Sequence, residues 1–144
     1  MATKFHQGLY TVKNPHKYLG DVSKVRYMSS WEYECHKYFD NNDRVIKWSS
    51  EGIAIPYFNP VKKRMARYYP DYYVEYINPQ NEVVREIVEV KPLAQTKAPR
   101  KNRKHALYEQ AQFAVNMAKF AAATQFCKER NLMFRVITEK SIFS

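Results

Sequence analysis

The feature that most constrains the fold is a pair of strand-like runs separated by a short polar break. The runs span residues 68–77 and 83–90 and are rich in Tyr, Val and Ile, residue types that favour a pleated, half-buried strand. The break, Asn78-Pro79-Gln80-Asn81-Glu82, has the composition of a turn. The sequence therefore predicts a β-hairpin.

The pairing of this hairpin follows from counting outward from the middle of the break. Val74 then lies opposite Glu86. By the same count, Asp71 lies opposite Glu89, and directly opposed side chains share a face with Cβ atoms roughly 4.5–5.5 Å apart. Since successive strand residues alternate faces, Lys91 points the same way as Glu89. A register slip of one residue would separate the two acids.

Apolar patterns predict the core and the remaining elements. The other face of the hairpin is expected to be buried and collects Tyr72, Val74, Tyr76, Val84, Val88 and Val90. A first helix is predicted over residues 29–39, with Trp31, Cys35, Tyr38 and Phe39 on its buried side. Short strands are predicted over 44–48 and 53–58, and Pro56 favours an edge position for the second. A long helix over 105–130 has a broad apolar surface that includes Leu107, Ala114, Met117 and Ala121, with Asn131 as its C-cap. A last strand over 133–138 is expected beside the hairpin.

The cluster of Asp71, Glu89 and Lys91 indicates phosphodiester chemistry. Two adjacent acids repel each other in a partly dry site, and a hard divalent cation relieves this repulsion. The lysine can stabilise charge on an attacked phosphate or help to deprotonate a water. The pattern therefore favours metal-assisted hydrolysis. The alternative is a surface hairpin with a cross-strand acid pair, which would be destabilised without a cation.

Two other groups of side chains have more than one interpretation. Glu32 and Glu34 lie near opposite edges of the first helix, and either could reach a metal site, although the Ser29–Glu32 spacing is also that of a capping box. On the long helix, Asn116 and Lys119 either help to hold phosphate or water, or simply flank the core.

The charge balance points to a polyanionic partner. The formal net charge is +10 and the pI is about 9.6, which attracts nucleic acid. Two basic runs flank the acids, and we expect both to contact DNA phosphates: Lys62, Lys63, Arg64 and Arg67, and Lys97, Arg100, Lys101, Arg103 and Lys104. The alternative for the second run is a solvated loop. Cys35 and Cys127 have no zinc-type spacing and are predicted to be buried, reduced thiols. No apolar segment has the composition of a signal peptide or a membrane span.

These motifs resemble a known family. Pro70-Asp71, then 17 residues, then Glu89-Val90-Lys91 looks like the motif of the PD-(D/E)xK nucleases, and the helix–strand pattern is similar to their core. A closer resemblance extends from residue 26 to residue 139, on residues 26–32, 48, 51, 55–57, 67–71, 89–92, 116–122 and 138–140. On these segments the chain resembles the head completion nucleases of T-even-type tailed bacteriophages, which are similar to TnsA-like transposon endonucleases.

The resemblance implies an α/β fold with an αβββαβ core and a mixed sheet flanked by helices, over residues 28–144. The poor periodicity of residues 1–27 predicts an extended N-terminal arm before this domain. It implies Glu32 as the helix acid and catalytic residue, Asp71 and Glu89 as further metal ligands, Lys91 as the catalytic lysine, and Mg²⁺ or Mn²⁺ as cofactor. The implied substrate is double-stranded DNA, cut during phage head completion. The implied partners are phage head or portal proteins, and the setting is the host cytoplasm or the virion. The alternative function is a non-catalytic head protein that binds DNA ends.

Overall fold

The chain folds around a mixed β-sheet with a helix on each face, and the computed structural model describes residues 7–99 and 106–142. The first elements are strands β1 (Gly8–Leu9) and β2 (Arg26–Tyr27) and helix α1 (Ser30–Asn41). Five strands follow: β3 (Val45–Ser50), β4 (Ile55–Asn59), β5 (Arg64–Tyr68), β6 (Tyr72–Ile77) and β7 (Val83–Val90). Helix α2 (Ala106–Glu129), strand β8 (Met133–Ile137) and helix α3 (Glu139–Ile142) complete the chain. Short 3₁₀ turns lie at Pro15–Lys17, Val22–Lys24 and Leu93–Thr96.

The main sheet has the strand order β3-β6-β7-β8. The first three strands are antiparallel, and β8 pairs with β7 in parallel. In the β6–β7 hairpin Val74 pairs with Glu86, so the predicted register is confirmed, as is the position of the last strand beside the hairpin. With α1 before β3 and α2 before β8, this sheet has the expected αβββαβ order.

The two faces of the sheet bury separate apolar clusters. On the α1 side, Tyr72, Val74 and Val88 pack with Trp48 and Phe39. This confirms the predicted inner face of the hairpin, whose Tyr76 and Val90 are partly buried there. On the α2 side, the cluster consists of Ile55, Tyr57, Tyr68, Ile87, Ala123 and Cys127. Both cysteines are free and buried, as predicted.

The single strand predicted over residues 68–77 is wrong, because the chain breaks around Pro70. Proline has no amide N–H to donate to a strand ladder. Residues Arg64–Tyr68 instead pair with β4 as a separate two-stranded ribbon, from Ile55 opposite Tyr68 to Asn59 opposite Arg64. Only from Tyr72 onward does the chain join the main sheet.

The helices differ from expectation in which side chains they bury. Tyr38 of α1 is exposed, whereas the polar His36 and Asp40 are buried. On α2, residues Leu107, Ala114, Met117 and Ala121 are exposed because only one stripe of the helix faces the sheet. Asn131, two residues past the end of α2, has a positive φ of 58°, the left-handed conformation that commonly follows a helix C-terminus, in agreement with the predicted end of the helix. No described helix is long and apolar enough to cross a membrane.

The N-terminal segment is fastened to α1 through Asp40. The Tyr10 hydroxyl donates to Asp40 Oδ2 at 2.7 Å, and the backbone amides of Lys13 and Asn14 donate to the same carboxylate at 2.7 and 3.1 Å. Tyr10 and Val25 lie in the core beside α1. The division between an arm and a domain at residue 27 stays a prediction.

Candidate active site

Two acids meet at the open end of the β6–β7 hairpin. Asp71 lies just before β6, and Glu89 lies near the end of β7. The Val90 amide donates to Asp71 Oδ2 at 2.7 Å, a bond that fastens Asp71 across the strand pair beside Glu89. Lys91 Nζ lies 3.6 Å from Glu89 Oε2, and the Lys91 amide donates to the carbonyl of Ile137 on β8 at 2.9 Å. The structure thus brings Asp71, Glu89 and Lys91 together as the sequence predicted.

The negative charges of Asp71 and Glu89 repel each other in the folded protein. Burial raises the pKa of Asp71 to about 7, and repulsion from Glu89 adds to the rise. The hydrogen bond from Val90 and the charge of Lys91 act in the opposite direction but are outweighed. A second positive charge at this position would therefore stabilise the ionised pair.

Tyr68 orients the second acid. Its hydroxyl donates to Glu89 Oε1 at 2.6 Å, and both side chains are buried. Burial and the negative charge of Glu89 strongly raise the pKa of the Tyr68 hydroxyl, so it remains a donor. Sequence reasoning missed this residue because Tyr69 beside it has the same side chain and is half exposed. The signal was the alternation of the β4–β5 ribbon, which turns Tyr68 inward.

Glu32 is the acid on helix α1 that is electrostatically coupled to this pair. Burial raises its pKa, a hydrogen bond from the Met28 amide at 3.0 Å opposes that effect, and repulsion from Glu89 contributes to the rise. The Ser29 hydroxyl accepts from the Glu32 amide, so Ser29 caps the helix, although the carboxylate turns to Met28. Glu34 lies on the exposed side with Lys37 at 3.9 Å.

Lys119 of α2 supplies a second ammonium beside the acids. Its Nζ lies 5.6 Å from the ring centroid of Tyr68 and 5.9 Å from that of Tyr57. Burial lowers the pKa of Lys119 and repulsion from Lys91 lowers it further, while the charges of Glu89 and Asp71 oppose the shift. These couplings place Lys119 within electrostatic reach of the acids, and its role in holding phosphate or water stays a prediction. Asn116 is buried.

The acid pair suits a cation that completes its coordination with water and phosphate. In the described part of the chain, no three His, Cys, Asp or Glu side chains form a metal-ligand group, so Glu32 is not gathered into a closed set with Asp71 and Glu89. Each of the paired acids has one oxygen fixed by a protein donor. Two carboxylates plus a substrate phosphate are a usual ligand set for Mg²⁺.

The predicted DNA-binding residues lie on two segments. Lys62, Lys63 and Arg64 lie at the end of the β4–β5 ribbon and Arg67 lies on β5, all exposed. Lys97 is exposed after the 3₁₀ turn at Leu93–Thr96. Arg100, Lys101, Arg103 and Lys104 lie outside the described residues.

Comparison with known proteins agrees with this arrangement. Residues 42–139 match the family model of the TnsA-like endonuclease N-terminal domain, which is well over half of the chain. The protein therefore belongs to the TnsA-like endonucleases, with a PD-(D/E)xK nuclease fold. The match includes both acids of the hairpin and Lys91, but not α1 with Glu32. Over 95% of its length the chain is also 31% identical to the Head completion nuclease of Enterobacteria phage T4, covering 93% of that protein. The resemblance stated from the sequence is thus confirmed.

Proposed function

We propose that the protein is a divalent-metal-dependent DNA endonuclease that acts in phage head completion. The observation that carries the proposal is the juxtaposition of Asp71, Glu89 and Lys91 at one end of the hairpin, with Lys91 Nζ 3.6 Å from Glu89. Membership in a nuclease family supports phosphodiester hydrolysis, and the net charge of +10 supports a nucleic-acid substrate. The relative's name supports a role in head completion, with head or portal proteins as partners in the host cytoplasm or virion.

The metal would be Mg²⁺ or Mn²⁺, held by Asp71 and Glu89, with Glu32 as a third acid from α1. When bound, it would supply charge neutralisation at the attacked phosphate. The other roles in the reaction belong to side chains of the protein. Lys91 holds an ammonium beside the phosphate as negative charge develops there, and Tyr68 keeps Glu89 in one orientation.

Lys119 would bind the same phosphate from the opposite wall of the site. It lies on α2 with its ammonium above the Tyr57 and Tyr68 rings, whereas Lys91 directly follows β7. Two ammonium groups on separate elements define a narrow position for a phosphate. Burial lowers the pKa of Lys119, and an incoming phosphate anion would raise it again.

The test is a supercoiled-plasmid nicking assay with Mg²⁺, Mn²⁺ or EDTA. We expect the unmutated protein, called the parent below, to nick DNA with either metal and not in EDTA. We expect Asp71→Ala and Lys91→Ala to lose cleavage while retaining the fold and DNA binding. Glu75→Ala is the matched control, because Glu75 lies on the same hairpin away from its open end. Cleavage by Asp71→Ala at the parent rate would refute the site. A parent that binds DNA ends without nicking at any metal concentration would favour the structural head protein.

A further inference from the structure

The β4–β5 ribbon has one face that no other described segment of the protein covers. Along β4, residues Ile55, Tyr57 and Asn59 are buried, whereas Pro56 and Phe58 between them are exposed. The inward side chains pack on α2 and, through Tyr68, reach Glu89. This alternation leaves a complete outward face, so one surface of the ribbon belongs to the site and the other is free for a partner.

Large apolar side chains occupy that outward face. Phe58 and Met65 are paired directly across the two strands, with 54% and 62% of their surfaces exposed. Val61 in the turn is exposed as well. Opposed apolar side chains on an open two-stranded ribbon form one contiguous patch, and such patches in a soluble domain mark interaction surfaces.

The charge around this patch has a single sign. Residues 55–68 contain four basic residues, Lys62, Lys63, Arg64 and Arg67, and no acidic one. Within the described residues, none of the four takes part in an ion pair. Pro56 lies opposite Arg67, so the outward face carries positive charge beside its apolar centre. A polyanion that also offers apolar surface fits this combination, and base edges between phosphates provide it.

The turn holds its basic residues in fixed positions. The side-chain oxygen of buried Asn59 accepts from the amides of Val61 and Lys62, each at 3.0 Å. The Lys63 amide donates to the Asn59 carbonyl at 2.8 Å. Lys63 itself has a positive φ of 54°, which a lysine adopts only when its surroundings require it. The end of the ribbon is therefore ordered before any partner binds.

We propose that the β4–β5 ribbon enters a groove of duplex DNA, with Phe58 and Met65 against the bases and Lys62 and Lys63 on the phosphates. This rests on the proposed function, since it names how that nuclease grips its substrate. A two-stranded ribbon fits the major groove, where apolar side chains contact thymine methyl groups. Four residue steps separate the Tyr68 pair from the end of the ribbon, about 13 Å along the strands.

The test is a binding measurement that does not depend on cleavage. A labelled duplex about 30 base pairs long, which covers three helical turns, is titrated in EDTA with the parent and with the double variant Phe58→Ser/Met65→Ser. The matched control is Tyr38→Ser/Met133→Ser, two residues whose exposed fractions are 61% and 60% and which lie off the ribbon. We expect the ribbon variant to bind about tenfold more weakly or worse and the control to bind like the parent.

Salt dependence separates the apolar from the ionic contacts. The slope of log Kd against log salt should stay at the parent value in Phe58→Ser/Met65→Ser, because no phosphate contact is lost. It should fall by roughly 1 to 2 in Lys62→Ala/Lys63→Ala. Parent-like affinity of the ribbon variant would overturn the proposal. The proposal would also be overturned if the unmutated protein were a dimer and the Phe58→Ser/Met65→Ser variant a monomer, because this face would then bind a second copy of the chain. Neither result depends on whether Asp71→Ala cuts DNA, so the two proposals can fail separately.

Discussion

Replacing Asp71 by Asn should stabilise the metal-free protein at neutral pH. The folded chain holds the pKa of Asp71 at about 7 against an ordinary 3.8, and this difference corresponds to about 4 kcal/mol of unfavourable free energy when the group is ionised. Asparagine removes the charge and retains an oxygen for the Val90 amide. The weaker hydrogen bond and solvent screening reduce the expected gain to about 1–3 kcal/mol.

The sign of the effect depends on pH. Below pH 3.8 the carboxyl is protonated in both the folded and the unfolded chain, so it contributes no difference. Between pH 3.8 and about 7 the unfolded chain loses the proton first, and stability falls as the pH rises through this window. The free energy of unfolding of Asp71→Asn should therefore exceed that of the unmutated protein only slightly at pH 4, and by the full amount at pH 8.

Urea unfolding in EDTA at both pH values measures this difference. The control is Asp43→Asn, which changes an exposed aspartate away from the acid pair. Adding Mg²⁺ at pH 8 should then raise the Tm of the parent and leave that of Asp71→Asn unchanged. An Asp71→Asn protein that is less stable than the parent at pH 8 would show that no charge conflict exists between the acids.

Three further substitutions test the surroundings of the site and the fold. Tyr68→Phe should lower plasmid nicking about tenfold and leave duplex affinity in EDTA unchanged, because Glu89 loses a charged hydrogen bond that orients it. Lys119→Met should lower nicking about tenfold or more, by removing one of two ammonium groups at the phosphate. Asp40→Asn should lower the free energy of unfolding by about 1–3 kcal/mol at pH 7. Burial opposes but does not outweigh the hydrogen bonds that lower the pKa of Asp40, so this loss should begin to shrink as the pH falls below 3.8 and should disappear below the lowered pKa of the folded protein.

Each of these three predictions has its own control experiment. Tyr69→Phe changes the neighbouring, half-exposed tyrosine and should nick like the parent, so equal losses in both tyrosine variants would contradict an orienting role. Lys140→Met removes an exposed lysine and should not affect nicking. For Asp40, limited proteolysis should cut the N-terminal segment faster in the variant, and an unchanged rate would mean that the carboxylate does not hold it.

The hairpin and its acids were predictable because period-two alternation and a proline-containing break determine a register by counting alone. Val74 opposite Glu86 follows from local sequence, and the placement of Asp71 beside Glu89 follows from that register. The same logic predicted the end of the long helix near Asn131, since a polar residue after an apolar helix is a local signal.

Contacts that depend on tertiary packing could not be predicted by counting along the sequence. The ribbon formed by Arg64–Tyr68 depends on pairing with β4 rather than on strand propensity, which continues through Tyr69 into β6. Asp40 is a polar residue whose burial is determined by backbone amides from 26 and 27 residues earlier. The position of Lys119 above the Tyr57 and Tyr68 rings depends on the packing of α2 against β4, which the sequence pattern of the helix does not specify.

The parallel pairing of β8 with β7 has a consequence for the synthesis of the chain. The carbonyl of Ile137 fixes the backbone of Lys91, and β8 comes after the whole of α2 in the chain. We expect Lys91 of a nascent chain to lack this anchor until α2 and β8 have both been synthesised.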